Sequence, residues 1–137
     1  KAVSYPLSGA CRFHCYISLG RGAEGLAKNA IFHAFAEDLS LKMVVVVDED
    51  IDVFNEQEVW WAVSTRMQAD RDVFSVSEAA GAMLDPSSDD GLTAKMGIDA
   101  TQKGAMDGRQ REWPPDIVMS PEIKELVDSK WAEYGIE

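Results

Sequence analysis

The run from Leu41 to Val47, β-branched from Val44 onward, limits what this chain can become more than any other stretch. Four valines in succession leave no polar side for water, so the segment reads as a strand buried on both faces, at the centre of a sheet. Such a strand needs a covering layer above and below it, and two stretches offer one. From Gly25 to Glu37, Leu26, Ala30, Ile31, Ala34 and Phe35 recur at helical spacing after a glycine-rich turn. From Asn55, whose side chain can cap a helix with Glu58 three residues on, Val59, Trp60, Val63 and Met67 mark a second helical face. The expectation is an α/β fold, a layered sheet with partly parallel central strands flanked by helices. At 137 residues the chain suits one domain, which buries roughly two-thirds of its unfolded surface.

Elsewhere the reading is coarser. Arg12 to Leu19 alternates and predicts a strand; Asp72 to Val76 predicts another; Gly81 to Gly91, with Pro86-Ser87-Ser88-Asp89-Asp90, predicts a loop. Strand, helix and strand in succession imply a parallel first pair. Lys95 to Thr101 and Gln110 to Trp113 have neither helical nor strand period, and residues 102–115 are expected to run extended over a surface. Ser120 and Pro121 open a final helix, and Gly135 follows it. Its apolar face is Ile123, Leu126, Val127, Trp131 and Tyr134. Cys11 and Cys15 would lie on one side of one strand about 13 Å apart at ~3.3 Å per residue, too far to bridge, so both read as reduced, buried thiols.

A formal net charge of −11 argues against nucleic acid and anionic membrane surfaces, which need clustered Lys and Arg. The longest apolar run, Met43 to Val47, is far short of the ~20 residues that span a bilayer. No signal-like segment opens the chain, which points to a cytoplasmic protein. It begins at Lys1 rather than Met, as though cut from something longer.

Asp48, Glu49, Asp50 and Asp52 follow the central strand, at the end where α/β proteins place ligands. As an EF-hand loop the series fails, with Val53 and Val59 where Gly and Glu belong. The haloacid dehalogenase pattern, Asp-x-Asp followed by Thr or Val, fails at Asp52. A solvated turn is the plainer reading. Trp60 and Trp131 read as core or interface anchors, His33 as a hydrogen-bonded structural histidine, and Asp99 with Arg111 as an ion pair. Lys28, in the first turn of its helix, could meet a phosphate, though on these grounds alone an exposed lysine is the simpler view.

Four strings in order, Gly25-Leu26-Ala27-Lys28, Val44 to Asp52, Trp61-Ala62-Val63-Ser64-Thr65-Arg66 and Lys95 to Thr101, resemble the C-terminal domain of UbiD-type decarboxylases. The resemblance implies residues 1–8 as a linker from a preceding domain, 9–119 as the α/β domain and 120–137 as a helix at a dimer interface. It implies reversible decarboxylation of an aromatic, heteroaromatic or α,β-unsaturated acid by prenylated FMN, with Mn or Mg and K+ held mainly by a central domain absent here. The Glu-Arg-Glu catalytic set and the metal ligands of that domain have no counterpart in this chain, which alone should be inactive. Lys28 matches a lysine that approaches the flavin phosphate. Ile31, Phe32, Ala82 and Leu84 match walls of the substrate pocket. The domain would close the cleft and build a homodimer or larger homo-oligomer. A free-standing non-catalytic subunit or interaction module is the competing reading, and a dehalogenase-like phosphatase a further one.

Overall fold

The computed structural model describes residues 1–20, 22, 25–104, 108, 113–115 and 117–135. Five strands form one sheet, in the spatial order β1, β2, β3, β5, β4. They are β1 (Ala2–Ser4), β2 (His14–Leu19), β3 (Met43–Asp48), β4 (Val73–Ala80) and β5 (Leu92–Asp99). The central strands β2, β3 and β5 are parallel, while β1 and β4 pair antiparallel on the outer edges. The layered, partly parallel sheet expected from the valine run is therefore present. Within residues 1–8, Ala2–Ser4 adds the first edge strand and Lys1 forms an ion pair with Glu49.

Alternation along β3 sorts the valines to two cores. Val44 and Val46 join Cys15, Leu41, Ala27, Ile31 and Phe35, the last three from α1 (Leu26–Glu37). Val45 and Val47 join Tyr16, Ile98 and residues Val59, Ala62 and Val63 of α2 (Glu56–Arg66). All four valines are wholly buried. Each face is thus covered by one helix, for the reason the sequence implied.

The helix ends are chemically specified. Asn55 caps α2 by accepting from Gln57 N–H at 3.1 Å, and Glu58 accepts from the Asn55 amide side chain and from Asp52 N–H, both at 3.0 Å. Ser120 caps α3 (Pro121–Ser129) with Pro121 in its first turn, and a 3₁₀ turn, Trp131–Tyr134, ends at Gly135 with φ +63°.

Several local expectations are corrected. Lys95 to Asp99 belongs to β5; its period was hidden because buried Lys95, bare Gly97 and buried Asp99 replace an apolar alternation. The strand read from Asp72 to Val76 extends to Ala80 through an irregularity between Val76 and Ala79, where Glu78 takes φ +54°. Bulges of this kind protect free sheet edges. Cys11 precedes β2 and is exposed; Cys15 is buried, and burial pushes its thiol up to about 11. No described helix is long and apolar enough to cross a membrane.

Candidate functional site

Because α1 follows β2, its first turn stands at the carboxyl edge of the parallel strands, where α/β sheets receive ligands. Gly25 enters this helix at φ +79°, in the left-handed region glycine tolerates, and no described side chain caps the turn. Lys28 is exposed there. A helix start that no described side chain caps, beside an exposed ammonium, suits a phosphate: the N–H groups and the dipole both favour negative charge.

One turn on, Ile31 is wholly buried, whereas Phe32 is 51% exposed. Any contribution of Ile31 to a pocket is as the floor under its neighbour. The Phe32 ring meets Phe74 of β4 with centroids 5.0 Å apart. Val76 follows Phe74 by two residues on the same side of the strand and is partly exposed. Beyond it, the β4–β5 connection carries half-buried Ala82 and the open side chains Met83 and Leu84. The structure gathers Lys28, Ile31 and Phe32 on α1 and sets Ala82 and Leu84 at the opposite, amino edge of the sheet, with Phe74 and Val76 along β4 between the two levels.

That connection is pinned at its base. Asp85 takes Lys42 at 2.7 Å and accepts from Ser87 N–H and Oγ–H at 3.0 and 2.8 Å. The Lys42 ammonium and the Ser87 N–H hold its carboxyl down at about 2. Leu84 is therefore an exposed apolar side chain on a fastened loop.

The acidic series after β3 is neither a metal cluster nor merely a solvated turn. Arg66 is 4% exposed; it donates to Asp48 at 3.0 Å and forks onto Asp50 at 3.0 and 2.5 Å. Burial draws the guanidinium pKa down, but hydrogen bonds and charge from Asp50 and Asp48 carry it above the ordinary value. Asp48 also accepts from Gln102 N–H at 2.6 Å, and Asp52 turns back to accept from Phe54 N–H. An Asp48 occupied in this way is badly placed for the nucleophilic role in a phosphatase. Among the described residues, no group of three His, Cys, Asp or Glu side chains could hold a metal ion.

Lys103 is the second buried cation at this edge. Its ammonium meets Asp99 Oδ1 at 3.1 Å, Asp72 Oδ1 at 3.6 Å and the carbonyls of Asp99 and Thr101 at 3.0 and 2.9 Å. Asp99 thus pairs with Lys103; Arg111, the partner expected from sequence, lies outside the described residues. Trp113 Nε1 donates to the Lys103 carbonyl at 2.7 Å. His33 is exposed rather than buried in the helix packing, and Trp60 and Trp131 are exposed, which leaves only the interface half of their reading; exposed Trp61 lies against Arg66, whose guanidinium carbon is 5.3 Å from its ring centroid. Phe74 and Lys103 were not singled out from sequence, and the acidic series was read without its pairing to Arg66. The one local signal was Gly97 inside an otherwise bulky string, a mark of close approach by another group.

The described residues form an α/β domain with a phosphate-compatible helix start and exposed apolar side chains along one side of the sheet. Residues 1–100 match the family model described as the 3-octaprenyl-4-hydroxybenzoate carboxy-lyase C-terminal domain, and the chain belongs to that UbiD C-terminal family. It is 52% identical over 126 residues to anhydromevalonate phosphate decarboxylase of Aeropyrum pernix, covering 92% of this chain and 26% of the relative. Among solved structures, the UbiD-class enzyme HmfF from Pelotomaculum thermopropionicum in complex with FMN matches at 47% identity and TM-score 0.78, over 92% of this chain and 28% of that one. An evolved dimeric form of HmfF in complex with prFMN matches at 35% identity and TM-score 0.68, over 90% and 24%. The 3,4-dihydroxybenzoic acid decarboxylase AroY of Klebsiella pneumoniae matches at 26% identity and TM-score 0.75, over 90% and 28%. The chain spans about a quarter of the length of these relatives.

Proposed function

We propose that this chain is the cleft-closing C-terminal domain of a prenylated-FMN decarboxylase whose substrate is an α,β-unsaturated carboxylic acid bearing a phosphate, of the anhydromevalonate phosphate kind. One observation carries the substrate class: identity is 52% to an anhydromevalonate phosphate decarboxylase and 26% to the dihydroxybenzoate enzyme. An aromatic or heteroaromatic acid is accordingly the second choice. The cofactor, when bound, supplies the electron sink for the electrons left by departing carbon dioxide.

In this reading Lys28 and the free first turn of α1 hold the cofactor phosphate. Phe32, over Ile31, forms the near wall of the substrate pocket, and Ala82 and Leu84 form its far rim. Catalytic groups and the divalent and potassium ions belong to the rest of the enzyme, so the isolated domain is inactive. The exposed residues Ile123, Leu126, Trp131 and Tyr134 support docking of the last helix on another subunit.

The test is carbon dioxide release by the full-length enzyme, coexpressed with a flavin prenyltransferase. Turnover of anhydromevalonate phosphate well above that of 3,4-dihydroxybenzoate is the expected result. Turnover of the aromatic acid alone would reverse the substrate assignment.

A further inference from the structure

We propose that Phe74 of β4 is a positioning residue that sets substrate selectivity through Phe32. The proposal rests on the reading of Phe32 as a pocket wall. Half of the Phe32 surface is open, and in isolation its ring would be free to choose among rotamers. Phe74 removes that freedom: the two rings lie 5.0 Å apart at an interplanar angle of 35°, within the range of favourable aromatic contact.

Phe74 is fixed in turn by what is missing beneath it. Its register partner on β5 is Gly97. A Cβ built on Gly97 would stand 2.5 Å from Phe74 Cζ and 2.8 Å from Ile31 Cγ2, so the bare backbone is what admits both side chains to the sheet surface. Ile31, wholly buried, fills the space between helix and sheet and cannot yield to the ring above it. Residues from β5, β4 and α1 therefore determine the height and tilt of the Phe32 ring. A smaller residue at 74 opens room behind that ring, lets it tip toward the sheet and deepens the wall. Acids with more bulk at the branch then gain relative to the native substrate.

A double-mutant cycle tests this in the full-length, flavin-loaded enzyme. The variants are Phe32→Leu, Phe74→Leu and both together, assayed for kcat/KM on anhydromevalonate phosphate and on an analogue larger by one methyl group. Phe74→Leu is expected to shift the ratio toward the larger acid by about tenfold, the scale on which pockets discriminate one methylene. The shift should fail to add to that of Phe32→Leu by about threefold or more, as for residues in contact. Phe74→Tyr, which keeps the ring, should retain the native ratio, and Phe74→Met replaces Phe74→Leu in the cycle if the latter does not fold. A merely structural Phe74 would lower thermal stability and leave the ratio within about twofold; that result, or strict additivity, overturns the proposal alone. A wild-type enzyme that holds flavin yet decarboxylates neither acid overturns the functional reading and the proposal with it.

Discussion

At the carboxyl edge of the sheet, two buried cations, Arg66 and Lys103, each reach two carboxylates, and the loop between Asp99 and Gly104 is bound along most of its length. From Pro114 to Gly135 no described residue is buried, although the same span holds Ile117, Val118, Met119, Ile123, Leu126, Trp131 and Tyr134. The edge closes its irregular backbone with charges from the domain itself. The C-terminal arm completes its own backbone, with a cap and a terminal turn, but leaves its apolar side chains without cover. Buried ion pairs are poor sources of net stability and good devices for fixing geometry. An apolar helix face is the converse: it specifies little alone and stabilises strongly once covered. The first region is finished within the domain, whereas the second is the one we propose to be covered by another subunit.

Removing the cation from the edge should produce the largest effect. Arg66→Met leaves Asp48 and Asp50 facing one another without their shared partner, and a loss of about 3 kcal/mol or more is expected by denaturant titration. A loss under about 1 kcal/mol would mean that the edge is not organised by this pair. Arg66→Lys, which keeps the charge but not the fork, should fall between.

Acid should act next, and on specific groups. The Asp85 carboxyl lies below its ordinary value of 3.8, at about 2, so its contribution is complete above pH ~4 and vanishes as pH falls through ~2. Burial lowers His14 below 6.5; the unfolded chain then binds the proton more readily, and stability declines as pH drops below 6.5 toward the folded value. Asp85→Asn should flatten the strongly acid limb and leave the limb below pH 6.5 unchanged, as followed by thermal melts across pH. An unchanged acid limb in Asp85→Asn would detach Lys42 from the loop.

The smallest effect on the domain should come from the arm. Trp131→Ala is expected to change unfolding of the monomeric domain by no more than about 0.5 kcal/mol, like other exposed substitutions, while weakening self-association of the full-length enzyme by tenfold or more in sedimentation. Equal association in mutant and wild type would show that the uncovered face is not the contact. Ser120→Ala, which loses only a helix cap, should cost about 1 kcal/mol of local helix stability.

How much of this was legible in the sequence follows from which forces are local. Val44 to Val47 announced a strand with two dry faces, and Ser120-Pro121 and Asn55-Glu58 announced helix starts, because alternation and capping act within a few residues. Strands β2 and β3 and both covering helices followed. β5 did not, since Lys95 is buried by reaching the Leu39 carbonyl 56 positions away, at 2.8 Å. Arg66 lay within a quoted string, yet its bonds to Asp48 and Asp50 span 18 and 16 positions. Phe74 drew no notice because its role depends on an absent side chain at Gly97 on a neighbouring strand. Lys28 and Phe32 share a helix and could be named together; the partner that orients Phe32 exists only once the sheet has formed.

The most direct test of the account is flavin occupancy of the full-length enzyme with Lys28→Ala, measured by absorption against protein mass after gel filtration, with Trp131→Ala alongside. The account predicts that Lys28→Ala loses most of its bound flavin while melting at the wild-type temperature, and that Trp131→Ala keeps its flavin. Equal occupancy in Lys28→Ala and wild type would contradict the assignment of the α1 side as the wall that closes on the cofactor.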